Sequence, residues 1–466
     1  MNSKIQKIII LSVTAVLFFV FAITGLIVQA NFKDINSSFV YNDFLETVDA
    51  DGNSVVYIPY GVTVPDNITN AITVETSNAS VIIETSKRVK VQDSNVAANI
   101  YFFNGKETDY ASGLYQGTCE IKEFDELKIS ASKKSYSITL PDFSSVLGMK
   151  EEKTWLLISL DNDASMLRTY AGLQMSSLLN SQYTPALEFV EVFANGVYDG
   201  TYMLCEKVKM SVNRLVIDKA KGDNFTGEGL TGSYLMMTDM SVKAKAELTE
   251  AILDKNFYFT MPRANILPGA TEMSRITFKQ TKALTNKHLE YIKQYMLDAE
   301  NALFSDDFLS ADNGYNYYFE SSNIINWYIT EEVFKNPNSP TCTSTYMYKE
   351  KGGRISLGPV WYFGFSSGNS EYSKAVTTDG WYVRENAWIA RMFEDPTFST
   401  MFDLRCNVLE DVKDDMFAAI DKRAGSLVKS AEFRGMSEED YEKEVENLKT
   451  WLTDRISWIL EQKEEA

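Results

Sequence analysis

The chain has 466 residues, 45% of them hydrophobic and 23% charged, which excludes a disordered, collagenous or disulfide-miniature class. Its 64 acidic and 45 basic residues leave a net charge of −19, which opposes binding to nucleic acid or to anionic lipid headgroups. A single histidine, His288, excludes zinc centres built on several histidines and leaves one residue for any Ser-His-Asp or Cys-His site.

In chain order, Lys4 and Lys7 precede an uncharged apolar run from Ile8 to Val28. At ~1.5 Å per residue this run spans about 30 Å as a helix, the thickness of a bilayer core. The sequence therefore predicts an N-terminal membrane anchor in residues 1–30. Its two lysines stay on the cytoplasmic side and everything from Asn31 onward lies outside. Val28-Gln29-Ala30 also fits a small-residue cleavage site, so a removed leader stays open as an alternative.

Residues 31–115 alternate short β-type runs (54–58, 71–76, 80–85, 99–103) with Asp-Gly-Asn, Pro-Asp-Asn and Asn-Gly turn clusters, and read as a small β-rich module. From 116 to the C-terminus the pattern mixes. Strands are expected over 133–140, 155–160 and 232–240, and a helix over 165–179. The stretch 186–206 is a hairpin turning on Asn195-Gly196. Helices are expected over 285–303, 322–335, 386–394 and 398–429. A last one starts at Ser437, with Tyr441, Val445, Leu448, Leu452, Ile456 and Ile459 on one face. His288 belongs to the first of these and is expected on a solvated face. Gly227 to Gly232 spells G-x-G-x-x-G, but a strand follows where a dinucleotide site needs a helix, so a turn between strands is expected. Cys119, Cys205, Cys342 and Cys406 form no Cys-x-x-Cys pair. Three disulfide pairings are open in an oxidising compartment, and buried thiols are slightly favoured.

Several blocks in order resemble the CotH family, the spore-coat-protein-H-like kinases. They are Asp163-x-Ser165-x-x-Arg168; the hairpin Asn195-Gly196-x-Tyr198-x-Gly200-x-Tyr202-x-Leu204-x-Glu206; the run from Ile324 through Gly358-Pro359-Val360-Trp361-Tyr362-Phe363-Gly364; and the closing helices. The likeness covers roughly residues 120–460. It implies an α+β, atypical protein-kinase-like domain over 116–466, with ATP and a divalent metal as cofactors and serines of surface or coat proteins as substrates. Some relatives act as cell-surface ligands instead.

The same comparison exposes departures. The family's Trp-Asp-x-Asp metal segment is Trp361-Tyr362-Phe363-Gly364 here, and neither a phenol nor a glycine holds magnesium. The Asp that acts as base in the family is Asn338. A downstream metal-ligand amide aligns with Ser344, and a strand Glu aligns with Met237. Lys133, Lys134, Arg168, Glu206 and Asp239 keep the family's polar character. Of these, Lys134, Arg168 and Glu206 are the candidates for gripping nucleotide phosphates, set against plain readings as strand-end and hairpin-surface charges. Glu331, Glu332, Glu371 and Asp379 flank the cleft and are the candidates for acids relocated to replace the lost ones. Neighbours on a helix point ~100° apart, so only one of Glu331 and Glu332 is expected to face inward.

The resulting expectation is a single-pass membrane protein whose outer, CotH-like part is a pseudokinase. No catalytic or metal residue is assigned, no cofactor is assigned unless the family's ATP and magnesium chemistry survives, and an envelope protein is the partner. The alternatives are an active kinase using relocated acids, and a structural envelope protein.

Overall fold

A computed structural model describes residues 44–463 apart from 50–51, 65, 86–93, 111–112, 125–132, 218–226, 239–257, 262–273, 279–283, 338, 340–344 and 372. The expected anchor at 8–28, Asp239, Asn338, Cys342 and Ser344 lie outside the described residues. Among those described, no helix is long and apolar enough to cross a membrane.

Three short strands, β1 (Thr47–Val48), β2 (Ser54–Pro59) and β3 (Ala71–Val74), form one sheet. Seven more close into a barrel: β4 (Ala79–Thr85), β5 (Val96–Phe103), β6 (Gln116–Glu123), β7 (Tyr136–Val146), β8 (Met149–Ser159), β9 (Leu187–Ala194) and β10 (Val197–Glu206). Neighbours are antiparallel except at the seam, where β4 runs parallel to β9. The β9–β10 turn is the expected one. Asn195 (φ 52°) and Gly196 (φ 89°) both take positive φ, as a tight hairpin turn of matching twist demands, and the Asn195 side chain accepts the Thr85 N–H at 2.9 Å.

The expected strands of 31–115 are present, but they divide between two sheets. Residue 115 falls between β5 and β6, which are hydrogen-bonded neighbours, so β4 and β5 share their barrel with strands from beyond the expected boundary. The β1–β3 sheet packs on the outside of this barrel. Val56, Ile58 and Val74 meet Ile82, Phe103 and Phe193 there.

The run Trp155–Ile158 is buried throughout because both of its faces are covered. Trp155 and Leu157 point into the barrel, while Leu156 and Ile158 point out against the helical layer. That layer comprises α1 (Arg168–Leu178), α2 (Asn286–Leu303), α3 (Ser321–Val333), α4 (Ala387–Met392), α5 (Pro396–Cys406), α6 (Leu409–Phe433) and α7 (Glu438–Gln462). The single helix expected over 398–429 is thus two, broken at Asn407-Val408. A second sheet, β11 (Tyr234–Thr238), β12 (Tyr258–Met261), β13 (Ser274–Phe278), β14 (Tyr346–Lys349) and β15 (Ile355–Leu357), has the order β12-β13-β11-β14-β15. Gly227–Leu230 forms a short 3-10 turn ahead of β11, and no helix follows the glycines.

Candidate functional site

The segment Gly358–Gly364 leaves β15 and crosses between α1 and α3. Besides the bond from the Gly358 N–H to the Tyr346 carbonyl at 2.8 Å, three contacts hold it. The Phe363 N–H donates to Thr169 Oγ1 at 3.1 Å. The Asn336 side-chain amide, just past the end of α3, donates to the Tyr362 carbonyl at 3.3 Å. The Phe363 ring lies flat on Gly172 in α1, where a Cβ would fall inside the ring's van der Waals surface. A glycine in a helix interior costs about 1 kcal/mol against alanine, so its use here marks a close approach. Gly172→Ala is expected to destabilise the protein by about 1–3 kcal/mol despite its better helix propensity, because Phe363 is fully buried and cannot yield. The check is a urea midpoint. A gain in stability would show that the ring moves aside freely.

At positions 362 and 364, which the resemblance marks as metal-holding, the two residues present are coupled. Tyr362 is buried at positive φ (57°), and its ring folds over Gly364. A Cβ at 364 would lie 2.5 Å from Tyr362 Oη. The phenol therefore occupies the volume that a side chain at 364 would need. Burial, then the nearby Asp163 carboxylate, raises the Tyr362 pKa, so the group stays neutral.

Each candidate phosphate-gripping residue is engaged by a protein partner. Arg168 Nη1 lies 2.5 Å from Asp163 Oδ1, and both are buried. The same carboxylate accepts the Ser165 and Arg168 backbone N–H groups, so the Asp-x-Ser-x-x-Arg block caps and orients the start of α1. Lys134 pairs with Glu123 at 2.5 Å. Glu206 pairs with Arg214 at 2.8 Å, accepts the Tyr183 hydroxyl, and is buried rather than on the hairpin surface as the plain reading had it. Burial raises the Glu206 pKa, and Arg214 opposes the rise. The Arg214 guanidinium also sits 4.8 Å from the Trp155 ring centre. Lys134 and Glu206 thus meet different partners and do not form a Lys–Glu pair with each other. Lys133 donates to the Asp199 carbonyl. Met237 is buried in β11, opposite Tyr346 of β14.

The acids beside the cleft also need correction. Glu331 and Glu332 are both buried, at 3% and 1% exposure, so neither is a solvated face. Nearly every residue of α3 is covered, and a ~100° separation then turns each carboxylate toward a different part of the interior. Glu331 accepts Ser339 Oγ–H at 2.5 Å. Glu332 pairs with Arg455 at 2.5 Å. Glu371 and Asp379 are exposed. Lys335, absent from the sequence reading, is buried beside them at positive φ (43°) and donates to the Lys374 and Asp379 carbonyls. Burial and then Arg455 push its pKa down to about 8. Its sequence neighbourhood carried no signal, since a lysine after a helix normally reads as a solvated end charge.

His288 is buried too, not solvated. Its Nδ1 accepts the Thr285 backbone N–H at 3.3 Å at the start of α2, and burial lowers its pKa. Cys119, Cys205 and Cys406 are buried, unbridged thiols. Burial pushes Cys119 and Cys406 up to about 12, so they are protonated and unreactive at neutral pH.

The fold and this segment define a mixed α+β protein in which α1 and the end of α3 hold one crossing strand-to-loop element. The family model described as CotH kinase protein matches residues 126–459, and the chain belongs to that family. No curated protein matches the chain.

Proposed function

We propose that this CotH family member has lost phosphoryl transfer and works as a binding or scaffold module at the cell envelope, held there by residues 8–28. The observation that supports the reading is the packing at 362–364 together with the ion pairs of Lys134 and Arg168. Tyr362 fills the space over Gly364, while Lys134 and Arg168 are neutralised by Glu123 and Asp163. Phosphoryl transfer is driven by positioning and charge neutralisation, with little covalent work for the protein. A nucleotide entering here meets cations already paired, in a chain of net charge −19, with Asn338 where the base should be. Loss of the base alone costs about 10²–10⁴ in rate.

The test uses the purified chain with γ-labelled ATP and magnesium or manganese. No transfer is expected to casein, to the chain itself or to co-purified envelope proteins, and metal-dependent labelling would overturn the reading. The melting temperature is expected to stay unchanged in millimolar ATP. A ligand present at 100 times its dissociation constant adds about 2.7 kcal/mol, so at millimolar ATP a dissociation constant of about 10 μM or below registers clearly.

A further inference from the structure

The barrel is not filled to its end. Where β4, β6 and β9 finish and β7 and β10 begin, a cavity of about 190 Å³ opens. Its floor is apolar, because Ile83, Ile121 and Val192 belong to the interior core of the barrel. Val197 and the Tyr136 ring form its wall, and Asp199 supplies the one charged side chain among the described residues that line it. Arg168, Glu206 and residues 362–364 are not part of it.

The backbone places Asp199 here by a bulge. Tyr198 and Gly200 keep Phe193 and Val192 of β9 as partners, while Asp199 between them has none, and Gly200 takes positive φ (105°). A bulge of this kind re-aims the side chain that it carries. Asp199 Oδ2 accepts the Tyr202 hydroxyl at 2.6 Å, so the carboxylate is held from inside the barrel. Tyr202 is fully buried, and its ring stacks on that of Tyr136 with centres 6.3 Å apart. Asp199 Oδ1 has no hydrogen-bond or ion-pair partner among the described residues and is not sealed from solvent.

The neighbouring cations are directed elsewhere. Lys133 donates to the Asp199 main-chain carbonyl, and Lys134 pairs with Glu123. Asp161 adds a further negative charge near the mouth. Burial raises the Asp199 pKa, against the Tyr202 hydrogen bond and the Lys133 charge, and a cation seated beside the carboxylate offsets that cost. Burial, then the Asp199 and Glu123 charges, pushes Tyr136 up to about 12, so its ring is a neutral phenol. A carboxylate beside an aromatic ring, over an apolar floor, is a setting for an ammonium group on a hydrocarbon chain.

We infer that this end of the barrel binds a primary ammonium carried on an unbranched alkyl chain. The ammonium meets Asp199 Oδ1 beside Tyr136, and the chain lies over Ile83, Ile121 and Val192. An apolar cavity of about 150 Å³ accepts benzene, so about 190 Å³ admits a ligand of about six or seven non-hydrogen atoms. An anion of that size is repelled by Asp199, and a neutral alcohol leaves the carboxylate without a countercharge. Two sources carry this chemistry, a free aliphatic amine and the lysine side chain of a partner protein. The site does not depend on the fate of phosphoryl transfer.

The test is saturation-transfer NMR on the full chain with n-pentylamine, n-pentanol and pentanoate, followed by titration. The amine is expected to bind with a Kd of about 0.1–1 mM, in keeping with about six non-hydrogen atoms. Pentanol should bind about tenfold more weakly or worse, and pentanoate should not bind. Asp199→Asn keeps an acceptor for the Tyr202 hydroxyl and should melt like the parent, yet lose about tenfold or more in affinity for the amine and little for the alcohol. Val197→Phe narrows the mouth and should weaken both. Nα-acetyl-lysine methylamide distinguishes the sources. Binding as tight as that of pentylamine assigns the site to a partner's lysine, binding of pentylamine alone assigns it to a free amine, and either supports the ammonium site. Equal binding of amine and alcohol, equal binding of the amine to the parent and to Asp199→Asn, or no amine binding at about 10 mM overturns the inference. The ATP assay is independent of these outcomes. Absent transfer with failed amine binding sinks this site alone, whereas transfer with amine binding intact sinks only the reading of lost chemistry.

Discussion

Replacing Arg455 with alanine is expected to lower the stability of the folded chain by about 3–5 kcal/mol, among the largest single-residue effects in the protein. Arg455 is fully buried on α7 and reaches two other pieces of chain, α3 and residues 378–380. Its Nη2 lies 2.5 Å from Glu332 Oε1 on α3. Its Nη1 donates to the Thr378 and Gly380 carbonyls at 2.8 and 2.9 Å. Glu332 in turn accepts the Tyr382 and Arg384 backbone N–H groups at 2.8 and 2.9 Å. Removing the cation leaves a buried carboxylate with two backbone donors and no countercharge, and leaves two carbonyls without a donor. The penalty therefore exceeds what the pair contributes over an apolar substitute.

Glu332→Gln should cost less than Arg455→Ala. The amide oxygen still accepts one of the two backbone N–H groups, and the guanidinium keeps the Thr378, Gly380 and Glu332 backbone carbonyls as acceptors. Urea titration of the two single variants and the double variant gives the coupling energy directly. A loss below about 1 kcal/mol for Arg455→Ala would place this pair with ordinary surface ion pairs and contradict its role as the tie between α3, α7 and residues 378–384.

Local signals were legible in the sequence wherever they were self-sufficient. Asn195-Gly196 specifies its own turn, and the apolar spacing from Tyr441 to Ile459 specifies one buried face of α7. What escaped is non-local. Nothing in SVIIET indicates that it pairs in parallel with a strand more than a hundred residues later to close a barrel, so a boundary at 115 looked natural. Partner choice was equally hidden. Lys134, Arg168 and Glu206 are the residues a kinase-like reading selects, yet their charges are met by Glu123, Asp163 and Arg214, and only Asp163 lies within the same motif.

Burial was misjudged for one recurring reason. Charged residues on a helix normally mark its wet side, but nearly every residue of α3 is covered, so Glu331, Glu332 and the following Lys335 are interior despite their chemistry. At 362 and 364 the resemblance led to an expectation of lost acids. The mutual packing of the two residues present, with a ring standing where a side chain at 364 would stand, was not legible.

Glu331 gives the second large effect, and it is a pH effect. Burial outweighs the hydrogen bonds from Ser339 and Asn336 and raises its pKa from 4.5 to about 7. In the unfolded chain the carboxyl ionises through its ordinary range, while in the folded chain it resists until near neutrality. Below about pH 4.5 both states hold the proton and Glu331 costs nothing. As pH rises from 4.5 through 7 the unfolded state alone is released to ionise, and stability falls. At ~1.4 kcal/mol per pKa unit, the loss reaches about 3 kcal/mol above pH 7. Glu331→Gln keeps an acceptor for the Ser339 hydroxyl and cannot ionise. It is expected to match the parent near pH 4.5 and to exceed it by up to about 3 kcal/mol at pH 8. The same difference should appear as a flattened pH profile of the urea midpoint between 5 and 7. If the two profiles run parallel, the Glu331 pKa is not raised by folding, and Asn336 and Ser339 pack around a charge rather than around a neutral acid at neutral pH.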